Sequence, residues 1–187
     1  AGLLAGTLTA FSCAADVLLT PLKNIIKATP VTSFIVLILL YFSSNVTPSA
    51  VAFLAVLPIC WSNVCEGLRQ TDKKMTELAH AYAFGRKKTL REIYFPAVRP
   101  YLSAAATTGL GFAWKSCVAA EVIALSKNSV GRALYESKLY LETAELFAWT
   151  ASVVLISVLF EKLLVHKLFK NKNTEGAAGR RSESLEH

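Results

Sequence analysis

Residues 146–164 read LFAWTASVVLISVLFEKLL, an apolar run in which only Glu161 and Lys162 carry a charge. A helix of about 20 such residues crosses the hydrocarbon core of a bilayer, which is about 30 Å thick. An isolated strand in that core would leave its backbone N–H and C=O groups without partners, whereas a helix pairs them within the segment. The run therefore predicts a transmembrane helix.

Four further runs are long and apolar enough to predict membrane-spanning helices. They cover residues 2–19, 25–42, 50–65 and 101–125. Of the whole chain, 53% is hydrophobic and 18% is charged, and the mean hydropathy is +0.43. About 25% of the residues of a typical soluble domain are charged, so a soluble domain is disfavoured. The sequence predicts an all-α fold, a polytopic transmembrane helical bundle with five spans.

The excess of positive charge, a net +7, lies beside the apolar runs. Residues 66–99 hold eight Lys and Arg against four Asp and Glu, and residues 162–187 hold six against three. The connection 43–49 has no charge, and the charges of 126–145 balance. Because basic loops stay in the cytoplasm, the first two segments are predicted to be cytoplasmic and the other two external. This pattern favours a membrane protein in contact with lipid, with no nucleic-acid partner.

The two ends of the sequence suggest how much of a longer protein it represents. It begins at Ala1 without an initiator Met, and five spans with the basic segments inside place that residue outside. We therefore expect that a first span is missing and that the intact protein has six. Residues 185–187 resemble the scar before a purification tag. The predicted organisation is a transmembrane domain, residues 1–170, followed by a polar C-terminal tail, residues 171–187.

Neither metal binding nor enzymatic chemistry is indicated by the reactive side chains. The four cysteines lie in or beside apolar runs, with no CxxC pair and no His at ligand spacing, as expected of buried small hydrophobic residues. No set of Ser, His and carboxylate residues clusters at a catalytic spacing. We predict no metal, no cofactor and no enzyme. An integral-membrane enzyme acting on lipid-linked substrates remains an alternative.

The loop between the third and fourth runs, residues 71–96, has internal structure of its own. Thr71 or Asp72 can cap a short helix that continues to Ala83. Its apolar residues at helical spacing are Met75, Leu78, Ala79 and Tyr82. A second segment, residues 86–94, is expected to be stopped by a proline two residues later. The pattern predicts a basic helical hairpin that projects into the cytoplasm.

This loop resembles the EAA loop of permease subunits in bacterial ATP-binding-cassette importers. The pattern of that loop is Glu-Ala-Ala, three residues, Gly, nine residues, Ile, one residue, Leu-Pro. The residues that match it in spacing are Glu77, Leu78, Ala79, Ala83, Ile93, Phe95 and Pro96. Leu78 stands in place of the second Ala, Ala83 in place of Gly, and Phe95 in place of Leu. Gly85 is then a candidate to supply the turn that the pattern assigns to Gly.

The resemblance covers most of the chain and points to one branch of these importers. The residues that lead into the loop in the same way are Asn63, Gly67, Arg69 and Asp72. The pair of segments Ala113-Trp114-Lys115 and Ala119-Ala120-Glu121 is similar to the nitrate/sulfonate/taurine-like branch. The resemblance implies a permease subunit that forms the path of a solute, a small anion or a vitamin precursor. The solute itself is not identified by it.

The same resemblance implies several partners. They are two ATP-binding-cassette ATPase subunits, a second permease copy or homologue, and an extracytoplasmic solute-binding protein. Residues 71–96 are hereafter called the coupling segment. Its short helix would dock in a groove on the ATPase subunit. No GxxxxGK[ST] phosphate-binding loop is present, and the run 85–89 lacks its spacing, so ATP hydrolysis is expected on a partner.

A plainer interpretation of the coupling segment is a basic face that anchors the inner leaflet. Each Lys or Arg near an anionic surface contributes about 1 kcal/mol. Under this alternative the protein is a membrane anchor or assembly protein that does not transport. The spaced Glu77, Ile93 and Pro96 favour the coupling interpretation, because lipid anchoring does not require them.

Three residues of the fourth run are candidates for the translocation path: Trp114, Lys115 and Glu121. An ionisable group within a span costs about 2.5 kcal/mol or more and must face protein or water. Lys115 either attracts an anionic solute or pairs with the carbonyls of a neighbouring helix or with Asp16. Glu121 either lines the path together with Trp114 or pairs with the outer connection and its backbone amides. The amphipathic stretch 130–141 is either an outer gate that receives a binding protein or an interfacial helix.

Overall fold

A computed structural model describes residues 1–183, with the side chains of Lys73, His80, Arg86 and residues 164–183 left out of the description. The predicted polar tail therefore lies outside the fully described residues. The described chain is all-helical, as predicted, with no strand between residues 1 and 183. Its helices are α1 (Gly2–Phe11), α2 (Cys13–Ala28), α3 (Val31–Tyr41), α4 (Thr47–Arg69), α5 (Lys73–Ala81), α6 (Arg86–Thr89), α7 (Phe95–Ala124), α8 (Val130–Leu139) and α9 (Thr143–Glu183), with a π-helical turn at Leu90–Tyr94 before α7.

Two helical segments of the described chain are long and apolar enough to cross a membrane by length and composition, Thr47–Arg69 and Thr143–Leu163. A third crossing results if α2 and α3 are counted as one bent span. The helix α7 has 30 residues but does not qualify by composition. The count of five spans therefore stays a prediction.

The first two predicted spans are both interrupted. The run 2–19 breaks at Ser12, which has extended backbone angles and whose Oγ accepts a hydrogen bond from the Ala15 N–H at 3.3 Å. The run 25–42 breaks at Thr29 and Pro30, where α2 and α3 meet at an angle of 98°. A serine that caps a new helix and a proline without an N–H each end the preceding helix. Predicting both runs as continuous helices was therefore wrong.

Small residues bring α1 close to α4. An added Cβ at Gly2 would lie 2.9 Å from the Cβ of Cys60, and one at Gly6 would lie 2.8 Å from that of Val64. The Nε1–H of Trp61 donates to Oγ1 of the buried Thr9 at 3.0 Å. Small residues permit this close approach between membrane helices.

The most extensive helix contact in the described chain joins α4 and α7, which run antiparallel. At the end where α4 finishes, the Tyr101 hydroxyl donates to Oε1 of Gln70 at 3.1 Å. At the opposite end, Oγ of Ser126 donates to the Ser44 carbonyl at 2.6 Å, and the Lys127 N–H donates to Oδ1 of Asn45 at 3.0 Å. The two connections predicted to be external thus meet at one end, and the coupling segment lies at the other.

Candidate functional site

The coupling segment starts with a capped helix. Oδ1 of Asp72 accepts a hydrogen bond from the Lys74 N–H at 2.9 Å. This pairing satisfies one of the backbone donors that the first turn of a helix leaves free. Of the two predicted caps, Asp72 is therefore the one that the structure uses. The helix α5 ends at Ala81, two residues earlier than predicted.

The apolar face predicted for this helix divides into a covered and an uncovered part. Ala79 is 3% exposed, whereas Met75 is 56%, Leu78 is 53% and Tyr82 is 71% exposed. We call Met75, Leu78 and Tyr82 the α5 ridge. Glu77 is also exposed, and it lies next to the ridge. Large apolar side chains that line up on an otherwise polar, exposed helix are typical of a surface that binds another protein.

The turn after α5 lies at Ala83, the position where the importer pattern has glycine. Ala83 has φ of 50°, in the left-handed region, and the Phe84 N–H donates to the Ala79 carbonyl at 2.8 Å. Gly85 has no positive φ, and an added Cβ there would meet nothing within 4 Å. The expectation that Gly85 supplies the turn was therefore wrong.

Replacing Ala83 with glycine should stabilise the chain by about 1 kcal/mol, because the left-handed conformation costs an L-residue with a Cβ about 1–2 kcal/mol. Thermal unfolding in detergent measures the effect. The matched control is Gly85→Ala, which should leave the melting temperature unchanged or raise it slightly. A lower melting temperature for Ala83→Gly would show that the turn is not formed at this residue.

The second arm of the coupling segment is continuous with α7. The helix α6 passes into the π-helical turn Leu90–Tyr94, in which the Phe95 N–H donates to the Leu90 carbonyl five residues earlier, and α7 starts at Phe95. Pro96 occupies the first turn of α7, where a missing N–H costs nothing. Pro96 therefore lies at the start of the long helix and does not stop the preceding segment as predicted. Ile93 is partly buried, and Phe95 is exposed.

A cavity of about 770 Å³ lies beneath α5. Its lining residues are Phe11, Thr76, Ala79, Phe84, Thr89, Leu90 and Tyr94. The rings of Phe11 and Tyr94 pack edge to face with centroids 5.4 Å apart, and Nζ of Lys88 lies 4.1 Å from the centroid of Phe84. The coupling segment thus contacts α1 through aromatic rings and leaves space beneath α5.

An ion pair fixes the end of α4 that leads into the coupling segment. Nη2 of Arg69 lies 2.6 Å from Oδ2 of Asp16 and donates to the Thr9 carbonyl at 3.4 Å. The Thr20 hydroxyl donates to Oδ1 of the same aspartate at 2.8 Å. Asp16 therefore binds Arg69, not Lys115 as one interpretation of the sequence suggested.

Trp114 lines a second cavity, of about 290 Å³, between α4, α7 and α9. Its ring packs against Phe160 with centroids 5.9 Å apart. Its Nε1 is buried, and within the described part of the chain it has no hydrogen-bond partner. A buried N–H of this kind is costly to leave unpaired, so it is available to an acceptor that enters the cavity.

Lys115 and Glu121 have different surroundings. The Lys115 side chain is exposed, and no carboxylate among the described side chains pairs with it. Glu121 is partly buried, and its Oε2 accepts the Gly131 N–H at 3.0 Å in the first turn of α8. The sulfur of Cys117 lies 3.9 Å from the other carboxylate oxygen. The structure thus keeps the Glu121 carboxylate at the start of α8 and leaves the Lys115 ammonium group uncovered.

A family model described as "Binding-protein-dependent transport system inner membrane component" matches residues 1–166. The chain belongs to this family. Membership places it among multi-pass inner-membrane components of binding-protein-dependent transport systems, as the resemblance of the coupling segment indicated. The family is one of transport components and not of enzymes.

Two curated permeases are similar to the chain. The putative aliphatic sulfonates transport permease protein SsuC of Bacillus subtilis (strain 168) is 26% identical over 178 residues, which cover 92% of this chain and 64% of the relative. The riboflavin transport system permease protein RibX of Chloroflexus aurantiacus (strain ATCC 29366 / DSM 635 / J-10-fl) is 27% identical over 155 residues, 79% of this chain and 58% of the relative. The chain thus spans less than two thirds of the length of either permease.

Some features of the chain were not predicted from the sequence. The ion pair of Asp16 and Arg69 joins residues 53 positions apart, and no local pattern marks it. Gly131 falls within the amphipathic stretch 130–141, and that pattern does not show that an added Cβ there would overlap the Cβ of Glu121. The available signal in the sequence was a glycine inside a predicted helix, because a glycine there often has a packing reason.

Proposed function

We propose that this chain is the membrane-spanning subunit of an ATP-driven importer, and that its coupling segment transmits the motion of a separate ATPase subunit to the helices around the solute path. The observation that carries the proposal is the α5 ridge. Its three large apolar side chains are more than half exposed. They lie at the end of the bundle opposite the hydrogen bond between Ser126 and Ser44. Apolar anchors of this kind supply most of the binding energy of a protein interface.

The connections of the coupling segment support force transmission in both directions. It begins directly after α4, whose last residue Arg69 is held by Asp16 and Thr9. It ends without a break in α7 through the turn Leu90–Tyr94. A displacement of α5 therefore acts on α4 and α7, the two helices of the described chain that share the most extensive contact. Alternating access follows if this displacement changes how α4 and α7 pack.

The proposal includes the partners that the resemblance implies. They are two ATPase subunits, a second permease copy or homologue, and an external solute-binding protein. It keeps the five predicted crossings, with the coupling segment on the cytoplasmic side. The exposed Lys74, Lys87 and Lys88 are consistent with that side, because basic loops remain in the cytoplasm.

For the solute we propose a small anion or a vitamin precursor with an anionic group. The exposed ammonium of Lys115 supports an anion, because an ionisable side chain on a membrane helix faces protein or water. The cavity beside Trp114 offers an unpaired donor at the same level of α7. Glu121 acts at the outer end, where it holds α8 against α7.

Glu77→Lys tests the coupling, because it reverses a charge beside the α5 ridge. In the intact importer, uptake should fall by at least about tenfold, the effect of losing roughly 1.4 kcal/mol of binding, while the protein stays in the membrane. The control is Glu142→Lys, an exposed carboxylate at the opposite end, which should transport normally. Unchanged uptake by Glu77→Lys would overturn the coupling role. If no ATPase subunit copurifies with the unaltered chain, the non-transporting anchor is the better description.

A further inference from the structure

The helix α2 is amphipathic, with two faces of opposite character. Its charged residues Asp16, Lys23 and Lys27 lie along one side at helical spacing. The opposite side carries Val17, Leu18, Pro21, Leu22 and Ile25. A helix that belonged to a membrane span would be apolar all round or would turn its polar side to a water-filled interior.

The polar side of α2 is the one that contacts the rest of the protein. Asp16 pairs with Arg69 at the end of α4, and Nζ of Lys23 lies 5.9 Å from the centroid of the Trp61 ring. The apolar side is uncovered, with Leu18 78% and Ile25 62% exposed, and no residue of α2 is buried. The exposed apolar side therefore lacks a partner within the described chain.

The angle to α3 and the two ends of α2 indicate what covers this side. The following helix α3 packs on α4 and α7, where Ile35 lies in one buried cluster with Val51 and Ala120. The 98° bend sets α2 nearly perpendicular to α3. Both ends of α2 are closed by polar side chains: Ser12 accepts the Ala15 N–H, and the Thr29 hydroxyl donates to the Ile25 carbonyl at 2.8 Å. A helix that is nearly perpendicular to its packed neighbour and has closed polar ends suits the boundary between headgroups and acyl chains.

We propose that α2 lies in the plane of the inner leaflet and that its apolar side binds phospholipid acyl chains. The uncovered side of α2 continues into the exposed apolar residues of α3, among them Val36, Leu40 and Tyr41. Lys27 is exposed at the end nearest α3 and complements the anionic headgroups of that leaflet. The helix then holds the α4 end of the coupling segment at a fixed depth through Asp16 and Arg69.

Spin-label depth measurements in nanodiscs of phosphatidylcholine and phosphatidylglycerol test this proposal. Single cysteines replace Leu18 or Ile25 in a variant without the four native cysteines, and collisions with oxygen and with a nickel chelate give the depth. These two residues share a side and lie two turns apart, about 10 Å along the axis. An in-plane helix places both labels at the same depth, about 5–10 Å into the boundary with the acyl chains. The control label at Lys27, which is exposed on the polar side, should be reached by nickel.

Three outcomes would overturn the proposal. Depths that differ by about 10 Å between Leu18 and Ile25 would make α2 part of a crossing. Protection of both labels from both reagents would show that a second copy or another protein segment covers the side. Nickel access equal to that of the Lys27 label would place the helix in water. A label at Val17, on the same side, replaces Leu18 if that variant does not fold, and none of these results depends on an ATPase partner.

Discussion

Leu78→Asp should abolish functional binding of an ATPase subunit. Leu78 is the central residue of the α5 ridge, and burying a leucine at an interface contributes about 1.5–3 kcal/mol. A carboxylate in its place adds a desolvation cost. The combined loss predicts binding at least about 30-fold weaker, because each 1.4 kcal/mol is a factor of ten. Copurification of the ATPase subunit and its affinity for the permease in nanodiscs measure this loss.

The matched control for Leu78→Asp is Leu139→Asp. Leu139 is 61% exposed in α8, at the opposite end of the bundle. Both substitutions add one negative charge and remove one exposed leucine, so general effects on solubility or insertion are the same. Only the first should release the ATPase subunit. Equal binding by the two variants would remove the α5 ridge from the interface.

Gly131→Ala should destabilise the packing of α8 on α7 more than any other single methyl addition described above. An added Cβ would overlap the Cβ of Glu121 and would lie 2.6 Å from the backbone nitrogen of Val122 and 2.8 Å from the Glu121 carbonyl carbon. Two of these atoms belong to the backbone of α7, so rotation of a side chain cannot relieve the clash. Overpacking of this kind costs about 3 kcal/mol. For a chain of this size we expect a melting temperature lower by roughly 6–12 °C.

Gly111→Ala is the control for this effect. Gly111 lies in the same helix as Glu121, and an added Cβ there would meet nothing within 4 Å. Its melting temperature should stay level or rise slightly, because alanine costs less entropy than glycine in a helix interior. A Gly131→Ala variant that melts like the unaltered chain would show that α8 does not dock on Glu121.

The later helices could be predicted well from the sequence, and the earlier ones could not. The runs 50–65, 101–125 and 146–164 correspond to α4, α7 and α9, because long apolar stretches bounded by charges specify helices directly. The runs 2–19 and 25–42 fail because hydropathy averages over many residues. A single serine hydroxyl at Ser12 and the missing N–H of Pro30 change the chain direction without changing that average.

The coupling segment shows the same limit at the level of single side chains. Helical spacing placed Met75, Leu78, Ala79 and Tyr82 on one face, and Asp72 was among the predicted caps. Helical spacing could not show that Ala79 is covered whereas the other three side chains are exposed. Ala79 is covered because the segment folds over α1 and Tyr94, and that contact joins distant parts of the sequence. For the same reason the sequence leaves two roles open for Glu121, because its contact with Gly131 joins two helices.

The ties between Ser126 and Ser44 and between Lys127 and Asn45 determine how α7 can move. Under the proposed coupling, α7 is held at this end and displaced at the other, so a small displacement at Tyr94 becomes a tilt that diminishes toward Leu125. The opening that this tilt would produce is wedge-shaped, widest beside the coupling segment and narrowest beside Ser126 and Lys127.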